Sequence, residues 1–255
     1  MINMANNSPF LSVVVPSFNE QKNIARGVLS EMLDYLKTQD YSWEIILTDD
    51  GSTDGTVEKL TAFAKNHPHI KVLKNLHAGK GPTVAAGMLA ANGQWRLFTD
   101  FDQSTPLSEV EKLFAFTDTH QVIFGSREIK GAKRDKEPFY RHLMGRGFNL
   151  LVRIMAVPGV SDTQCGFKLF SAPTAETLFK KLYVYGHQTE RPDAFTGAFD
   201  VELLFLARKL GFASIEVPIL WRHHATDRVS PIKDSLRMLR DILLIRWAKI
   251  TGKYR

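Results

Sequence analysis

Trp95-Arg96-Leu97-Phe98-Thr99-Asp100-Phe101-Asp102 joins a short apolar run to two carboxylates that are separated by one residue. The run is typical of a buried strand, and two acids at its end repel each other unless a positive charge offsets the repulsion. A divalent cation that carries a diphosphate would supply that charge, because hard cations prefer carboxylate oxygens. The alternative interpretation is a pair of solvated aspartates in a loop, and the rest of the chain has to decide between the two.

Short apolar runs alternate with helical patterns through the first half of the chain. The runs at residues 11–15, 43–47, 70–73, 95–99 and 121–125 predict five strands. Helical spacing of apolar residues predicts helices from 24 to 36, from the turn at 49–53 to about 66, from 83 to 91, and from Pro106 onward. Strands separated by single helices predict an α/β fold with one doubly wound, mostly parallel sheet, whose ligands bind at the carboxyl ends of the strands.

The alternation weakens after residue 126. Residues 130–138 are charged and loop-like, residues 140–155 have a helical pattern, and residues 195–210 join a predicted strand to a helix. With no repeat or linker in this half, we expect it to complete the site of the first half. We therefore predict one domain over residues 10–230, made of halves 10–125 and 126–230, followed by a helix in 231–255.

Composition favours a globular protein in a reducing compartment. The 255 residues are 44% hydrophobic and 24% charged, which is enough apolar material for one large α/β domain. The single cysteine, Cys165, excludes an intrachain disulfide, and residues 1–10 lack a leader pattern. No apolar stretch approaches the roughly 18 residues that a spanning helix needs. We expect a cytoplasmic protein.

Positive charge is concentrated in two zones. Residues 127–153 contain eight Lys and Arg against three Asp and Glu, and residues 232–255 contain seven against two. The formal net charge is +6, so the remainder of the chain is acidic. Two basic zones favour an anionic partner such as a phosphate or a lipid surface, although ordinary solvated faces are the simpler alternative. No nucleic-acid-binding motif accompanies the charge, which argues against nucleic acid.

Two motifs follow the first two predicted strands. In Val15-Pro16-Ser17-Phe18-Asn19-Glu20 the strand ends at Pro16, and Asn19 or Glu20 caps the next helix while facing the ligand crevice. In Thr48-Asp49-Asp50-Gly51-Ser52-Thr53-Asp54-Gly55, helix capping accounts for the later residues but leaves two acids unexplained. A carboxylate there is able to accept a hydrogen bond from the N3–H group of a uracil ring.

A third motif, His77-Ala78-Gly79-Lys80-Gly81-Pro82, follows the third predicted strand. Its small residues let the backbone approach a ligand, and Lys80 is able to neutralise a phosphate. The motif lacks the spacing of a P-loop. An entry turn of a helix is the alternative.

In this order along the chain, the motifs resemble the signature of family 2 glycosyltransferases with the GT-A fold. Three motifs of the second half narrow the resemblance to the dolichyl-phosphate β-glucosyltransferase branch, with polyprenyl-phosphate mannosyltransferases as neighbours. They are Gly125-Ser126-Arg127-Glu128, Asp162-Thr163-Gln164-Cys165-Gly166-Phe167-Lys168-Leu169-Phe170 and Phe199-Asp200-Val201-Glu202-Leu203-Leu204. The resemblance runs from about residue 11 to residue 247.

This resemblance implies transfer of glucose from UDP-glucose to the phosphate of a polyprenyl, dolichyl-type lipid, with inversion at the anomeric carbon. Residues 10–125 would then be the nucleotide-sugar half and residues 126–230 the acceptor half. Asp49 would contact the uracil. The other residues implied at the nucleotide sugar are Pro16, Asn19, Glu20, Asp50, Gly51, Ser52, Lys80, Gly81, Asp100, Phe101, Asp162, Gln164 and Asp200.

The resemblance also implies a divalent cation, Mg²⁺ or Mn²⁺, held against the diphosphate by Asp100 and Asp102. Gln103 would add an oxygen ligand, although related mannosyltransferases place a metal-binding Gln one residue further on. A lipid phosphate is already an anion, so positioning and charge neutralisation should dominate over general base catalysis. Arg127 and Arg141 match acceptor-phosphate positions, and Lys168 is a third candidate. Surface solubility is the alternative role for all three.

Asp162 and Asp200 resemble general bases only superficially. Asp162 is expected to order the loop over the donor and Asp200 to cap the helix that begins near Val201, with recognition of sugar hydroxyls as a further role. Cys165 has no activating partner in the sequence, so we expect a packed residue.

The carboxyl-terminal segment has the pattern of a basic amphipathic helix. Ile232, Leu236, Leu239 and Leu243 recur at helical spacing, with basic residues opposite and Trp247 suited to a headgroup boundary. Peripheral membrane contact through residues 232–250 and packing against the domain are both possible roles. Eukaryotic dolichyl-phosphate glucosyltransferases carry an amino-terminal membrane helix that this sequence lacks, which leaves membrane residence open.

Two other functions stay open on the sequence. One is a family 2 enzyme with another donor, such as GDP-mannose, or with a hydroxyl acceptor. The other is a non-catalytic protein that binds a nucleotide sugar or a membrane.

Overall fold

A computed structural model describes residues 8–135, 157–186, 197–223 and 231–254, with side chains in the last range from residue 236 onward. Arg141 and the predicted helix at 140–155 lie outside these ranges, as do residues 136–138 of the predicted loop.

The centre of the protein is a seven-stranded sheet in the order β3-β2-β1-β4-β7-β5-β8. Its strands are β1 (Leu11–Ser17), β2 (Trp43–Asp49), β3 (Ile70–Lys74), β4 (Trp95–Thr99), β5 (Val122–Ser126), β7 (Phe167–Ser171) and β8 (Ser214–Pro218). A small second sheet pairs β6 (Lys133–Arg134) with β9 (Leu220–Trp221).

Helices cover both faces of the sheet. They are α1 (Gln21–Ala25), α2 (Val28–Lys37), α3 (Thr56–Lys65), α4 (Lys80–Ala90), α5 (Val110–Phe114), α6 (Ala172–Lys180), α7 (Phe199–Lys209) and α8 (Pro231–Ile250), with a 3₁₀ turn at Leu107–Glu109 before α5. The predicted α/β class and the five predicted strands are confirmed, each strand within two residues of its expected bounds.

Strand direction decides where the site lies. Strands β1 to β4 are mutually parallel, and β7 runs antiparallel between β4 and β5. Because β7 reverses direction on both sides, β4 and β5 point the same way. The carboxyl ends of β1, β2, β4 and β5 and the start of β7 therefore meet at one edge of the sheet, where α/β sheets bind ligands.

Several elements differ from the sequence predictions. The sequence did not predict β7, whose Lys168 interrupts an apolar run. The predicted helix at 24–36 is divided at Gly27, which has φ 91° and immediately precedes α2. Helix α4 begins at Lys80, before the predicted Thr83. In the predicted strand before α7, residues 197 and 198 form a turn, and residues 195 and 196 lie outside the described ranges.

The core consists of two apolar clusters, one on each face of the sheet. Alternation along β1 explains the division, since Val14 faces one cluster while Val13 and Val15 face the other. The first cluster packs under α4, α6, α7 and α8 and includes Phe98, Phe170, Phe199 and Ile245. The second packs under α2 and α5. The buried sheet thereby holds the loops of its carboxyl edge in fixed positions.

Candidate active site

The carboxyl edge of the sheet collects most of the residues that the sequence motifs predicted. Asp49 ends β2, Asp100 follows β4, Arg127 follows β5, and Asp162 to Gly166 precede β7. Lys80 begins α4 above the same edge. These segments are far apart in the sequence, and the topology of the sheet brings them together.

Asp49 is buried and fully engaged by its neighbours. One carboxylate oxygen accepts hydrogen bonds from the hydroxyls of Ser17 (3.0 Å) and Ser52 (2.6 Å), and the other accepts from the backbone N–H of Ser52 (2.8 Å). The acid therefore fixes the turn after β2. Its three hydrogen bonds come from two hydroxyls and one backbone N–H, with no cationic partner among them.

Asp50 organises the turn that carries Lys80. Its Oδ1 accepts from the backbone N–H groups of Ala78 (2.9 Å) and Gly79 (3.1 Å) and from the Thr83 hydroxyl (2.7 Å). Oδ2 lies 2.9 Å from Nδ1 of His77. Gly51 has φ 73°, and a Cβ there would lie 3.1 Å from the backbone nitrogen of His77. Glycine at 51 thus permits the close approach of these two turns.

The first motif is tied to the second by backbone and side-chain hydrogen bonds. Asn19, with φ 53°, donates its N–H to the Ser52 hydroxyl (2.8 Å) and accepts the Thr53 N–H at Oδ1 (2.9 Å). The N–H of Glu20 donates to the Thr56 hydroxyl (2.8 Å), and its carboxylate accepts from Asn23 (2.5 Å). Glu20 is buried, and Pro16 lies within β1. These residues build the wall of the crevice beside Asp49.

Lys80 and Asp100 form an ion pair over the edge of the sheet. The Lys80 Nζ lies 2.5 Å from Oδ1 of Asp100, and both side chains are partly exposed. Burial alone would lower the pKa of Lys80, but the negative charges of Asp100 and Asp200 outweigh burial and raise the pKa. A lysine that stays charged beside a partly exposed carboxylate provides the positive charge that a diphosphate requires.

Two glycines make room around this ion pair. A Cβ on Gly166 would fall within 2.2 Å of Oδ2 of Asp100, so only glycine fits where the β7 entrance passes the acid. The N–H of Asp100 donates to the Gly166 carbonyl (3.1 Å). Gly81 is buried against Phe199 and Tyr185, where a Cβ would lie 2.9 Å from the Phe199 Cβ and 3.0 Å from the Tyr185 Cδ1, closer than carbon atoms normally approach.

The side chains of the three residues after Asp100 point in different directions. Asp102 accepts the N–H of Ser104 at Oδ1 (2.9 Å), while its backbone carbonyl accepts from Arg26. Phe101 is buried in the second apolar cluster, so its side chain packs behind the edge. Gln103, with φ 51°, donates its amide to the Asp100 carbonyl (2.9 Å), and its Oε1 is buried without a hydrogen-bond partner in the described structure.

Lys168 and Asp200 form a second ion pair, beneath the first. The Lys168 Nζ lies 2.5 Å from Oδ1 of Asp200 and also donates to the carbonyl of Cys165, and both side chains are buried. Surface solubility as the role of Lys168 is therefore wrong. Asp200 was also expected to cap a helix near Val201; α7 instead begins at Phe199, and Asp200 bonds Lys168 from within the first turn.

Arg127 is held by a bidentate contact with Asp162. Its Nε donates to Oδ2 (2.7 Å), its Nη2 to Oδ1 (2.9 Å), and its backbone N–H to Oδ2 (3.0 Å). Burial alone would raise the pKa of Asp162, but the Arg127 guanidinium outweighs burial and lowers the pKa. Gln164 donates its N–H to Asp162 (3.3 Å) and its amide to the sulfur of Met238 (3.5 Å). Asp162 therefore orders this loop.

Other residues of the edge were not predicted from the sequence. The rings of Phe18 and His77 stack with centroids 4.3 Å apart, beside Asp50. Trp221 lies between two guanidinium groups, 5.6 Å from Arg127 and 5.2 Å from Arg134. Phe18 and His77 belong to two of the sequence motifs and Trp221 to none, and the contacts that these rings make depend on the fold.

Cys165 is buried, and burial raises the pKa of its thiol to about 12. A protonated, enclosed thiol is a poor nucleophile, which agrees with a packing role. Across the described ranges, no group of three or more His, Cys, Asp or Glu side chains converges as a ready-made metal site. The carboxylates whose charges act on Lys80 are those of Asp100, Asp200 and Asp102.

Residues 12–179 match the sequence model of the glycosyl transferase family 2. Among curated proteins, dolichyl-phosphate beta-glucosyltransferase of Dictyostelium discoideum is 33% identical over 95% of this chain and 76% of its own length. The proteins of the same name from Drosophila melanogaster and Homo sapiens are 34% and 33% identical, over 96% of this chain and 77% of their own lengths. The similarity therefore includes both halves of the sheet.

Solved structures share the fold at lower identity. Glucosyl-3-phosphoglycerate synthase of Mycobacterium tuberculosis, in complex with Mn²⁺, UDP and glucosyl-3-phosphoglycerate, aligns with a TM-score of 0.63 and 20% identity over 93% of this chain and 80% of that one. The mannosyltransferase PcManGT of Pyrobaculum calidifontis, in complex with GDP-Man and Mn²⁺, aligns with a TM-score of 0.53 and 20% identity over 87% of this chain and 58% of that one. These likenesses are to the GT-A fold.

Proposed function

Because the chain belongs to glycosyl transferase family 2 and is a glycosyltransferase with the GT-A fold, we propose that it transfers glucose from UDP-glucose to the phosphate of a polyprenyl, dolichyl-type lipid, with inversion. The observation that carries this proposal is the similarity to dolichyl-phosphate beta-glucosyltransferases over both halves of the sheet. The geometry of the carboxyl edge supports each part of the reaction in turn.

The donor lies along the ends of β1, β2 and β4 in this proposal. The nucleotide is enclosed by Asp49 and by the wall that Asn19 and Glu20 form. The stacked rings of Phe18 and His77 lie beside them. Lys80 contacts the diphosphate in this proposal, because its ammonium group lies beside Asp100 at the end of β4. On the side of β7 and α7, the sugar is enclosed by Asp162, Gln164 and Asp200.

A divalent cation, Mg²⁺ or Mn²⁺, fits the oxygen donors at this edge. Asp100 is partly exposed, Asp102 follows two residues later, and the Gln103 Oε1 has no hydrogen-bond partner within the described ranges. Two carboxylates suffice, since Mg²⁺ is commonly bound by one or two carboxylates together with substrate phosphates. When bound, the cation would neutralise the negative charge that develops on the departing UDP.

The acceptor requires positioning more than activation. A lipid phosphate is an anionic nucleophile at neutral pH, so no side chain has to remove a proton from it. Arg127 is able to hold the phosphate opposite the departing UDP, because Asp162 fixes its guanidinium in a defined orientation. Arg141 belongs to the same proposal but lies outside the described residues. Lys168 forms an ion pair with Asp200, and the negative charge of Asp200 in turn raises the pKa of Lys80.

A family 2 enzyme with a hydroxyl acceptor is the second candidate. One observation favours it: the Arg127 guanidinium already shares its charge with Asp162, which weakens its attraction for a second anion. A hydroxyl acceptor would need a general base, whereas a phosphate acceptor does not. The nature of the acceptor therefore separates the two functions.

The experiment compares two acceptors that differ only in the phosphate. We expect the purified chain to convert a short polyprenyl phosphate, but not the corresponding polyprenol, to a hexose-linked lipid with UDP-glucose and Mg²⁺ or Mn²⁺, as measured by mass spectrometry. The linkage should be β, because the donor linkage is α. Product from GDP-mannose alone would overturn the donor, product from the polyprenol would favour the second candidate, and activity in excess chelator would overturn the metal role.

A further inference from the structure

We propose that the outward face of α8 is a docking surface for an anionic lipid bilayer. The proposal concerns helix α8 (Pro231–Ile250) and the turn that follows it, through Tyr254. It does not depend on the identity of the acceptor, because the exposed face of α8 contains none of the residues proposed to bind the donor or the acceptor. No described helix is both long and apolar enough to cross a membrane, so the inference is one of surface contact.

One face of α8 is already covered by the domain. Ile242, Ile245 and Ala248 recur at helical spacing and are fully buried in the first apolar cluster, together with Tyr254. The Tyr254 hydroxyl donates to Glu202 of α7 (2.6 Å). The Asp241 carboxylate accepts from the Tyr185 hydroxyl. These contacts fix the rotation of the helix about its axis.

The opposite face carries large apolar side chains that are exposed. Its exposed fractions are high for large apolar residues: Leu236 64%, Leu243 52%, Leu244 37%, Trp247 53% and Ile250 82%. The packing alternative and the exposed-surface alternative of the sequence analysis thus apply to different faces. Only two large apolar residues elsewhere in the described structure are comparably exposed, Leu76 and Leu89. At about 1.5 Å per residue, the exposed stripe is about 21 Å long.

The charges on this face favour an anionic lipid surface over a second copy of the chain. Arg240 lies within the stripe and Arg246 at its border, and both are exposed. In residues 236–254, the acidic residue is Asp241, which turns inward to Tyr185. Two copies packed through this face would bring these arginines together, whereas anionic headgroups attract them. Leucine and tryptophan side chains between arginines suit the boundary between headgroups and acyl chains.

The docking surface is mechanically linked to the active site. Tyr185, which holds Asp241 of α8, also accepts the N–H of Ala198 (2.6 Å) just before α7. Its ring lies against Gly81, the neighbour of Lys80. A bilayer in contact with α8 would therefore lie against the same layer of helices that bears Lys80 and Asp200.

Vesicle sedimentation tests the proposal on the full chain. We expect it to bind vesicles of phosphatidylcholine with about one-third phosphatidylglycerol, and to bind phosphatidylcholine vesicles at least about tenfold more weakly. The double variant Leu243→Ser/Trp247→Ser should bind the anionic vesicles about a hundredfold more weakly, since two inserted apolar side chains are lost. Arg240→Gln/Arg246→Gln should reduce binding about tenfold and remove the preference for anionic lipid.

A matched pair of single variants distinguishes this surface from general stickiness. Leu236 and Leu76 are 64% and 63% exposed, so Leu236→Ser should weaken vesicle binding about tenfold while Leu76→Ser leaves it unchanged. Equal binding by these two variants, or undiminished binding by Leu243→Ser/Trp247→Ser, would overturn the proposal. A concentration-dependent dimer that this double variant abolishes would assign the face to a second copy instead, and would also overturn it.

Transfer activity keeps this test separate from the proposed function. With a short, water-soluble polyprenyl phosphate and no vesicles, Leu243→Ser/Trp247→Ser should retain the activity of the parent chain. Absence of transfer in both proteins would sink the proposed acceptor, while the vesicle measurements would still decide the docking surface.

Discussion

The two halves of the carboxyl edge stabilise buried acids in different ways. In the half formed by β1 to β4, Asp49 and Asp50 accept hydrogen bonds from hydroxyls, backbone N–H groups and an imidazole. In the half formed by β5, β7 and α7, Asp162 and Asp200 pair with the charged side chains of Arg127 and Lys168. The first half therefore holds its two buried acids mainly through hydroxyl and backbone N–H donors, whereas the second half holds its two through Arg127 and Lys168.

This difference has consequences for stability and for chemistry. A carboxylate held by neutral donors loses a hydrogen bond when one donor is removed, a cost of about 1–3 kcal/mol when the partner is buried. A buried ion pair that loses one member leaves an uncompensated charge, a cost of about 3–5 kcal/mol. Mutations of the buried ion pairs in the second half should therefore lower the free energy of unfolding most. Mutations of the partly exposed acids Asp100 and Asp102, which follow β4, should lower transfer activity.

The largest expected effect is on the buried ion pair of the second half. Lys168→Ala should lower the free energy of unfolding by about 3–5 kcal/mol, because Asp200 is left buried and unpaired. Urea denaturation measures the loss. The matched control is Lys180→Ala: its ion pair with Glu176 has the same 2.5 Å separation but is exposed to solvent, so its removal should cost far less stability than Lys168→Ala. The double variant Lys168→Met/Asp200→Leu should be more stable than Lys168→Ala, and equal losses in Lys168→Ala and Lys180→Ala would remove the distinction.

The next effect is on transfer rather than stability. Asp102→Asn should reduce kcat about 100-fold or more, because the side chain loses the negative charge that is proposed to hold the cation. The fold should persist, since an amide oxygen still accepts the N–H of Ser104. Steady-state kinetics and thermal unfolding measure the two quantities. Asp118→Asn, at an exposed position, is the control and should retain full activity. A fully active Asp102→Asn enzyme would contradict the proposed metal role.

A smaller effect is expected for Asp50, which is held mainly by backbone N–H and hydroxyl donors. Asp50→Asn should lower the free energy of unfolding by about 1–3 kcal/mol, because an amide presents N–H groups to the donors of Ala78, Gly79 and Thr83. Urea denaturation gives this value on the same scale as Lys168→Ala. A loss as large as that of Lys168→Ala would mean that the two halves do not differ as described.

The smallest effect is the pH dependence contributed by Asp162. Its pKa is lower in the folded chain than the ordinary 3.8, so the folded state binds fewer protons at this group than the unfolded state does. Its contribution to stability is complete above the ordinary pKa and is lost as the pH falls through the lower folded pKa. Stability should therefore decline below about pH 4 by up to about 1.4 kcal/mol per pH unit from this group. Asp162→Asn should flatten that decline in acid titrations of unfolding, and an unchanged slope would contradict the sign of the shift.

Much of the fold followed from local pattern. The five predicted strands and the mostly parallel α/β class were confirmed because strands that face an apolar cluster on both sides appear in the sequence as short, continuous apolar runs. The antiparallel β7 was missed because its central residue, Lys168, breaks the apolar run. The burial of this lysine is explained by its ion pair with Asp200, which lies 32 residues away.

The candidate site was predicted in its residues more than in its contacts. The motifs around Asp49, Lys80 and Asp100 were placed at strand ends, and the structure brings them to one edge. The Lys80–Asp100 ion pair was not predicted, because the two residues lie on different elements. The roles of these residues toward a nucleotide sugar, a metal and a lipid phosphate stay predictions.

The sequence by itself determined the alternation of strands and helices, because the type of an element depends on the spacing of apolar side chains along a local backbone. The order of the motifs is likewise a property of the sequence. The tertiary structure alone decided which charges neutralise each other. Asp162 meets Arg127 across 35 residues, and Asp200 meets Lys168 across 32. Coulomb energy depends on distance and burial, and neither is defined for distant residues until the sheet has assembled.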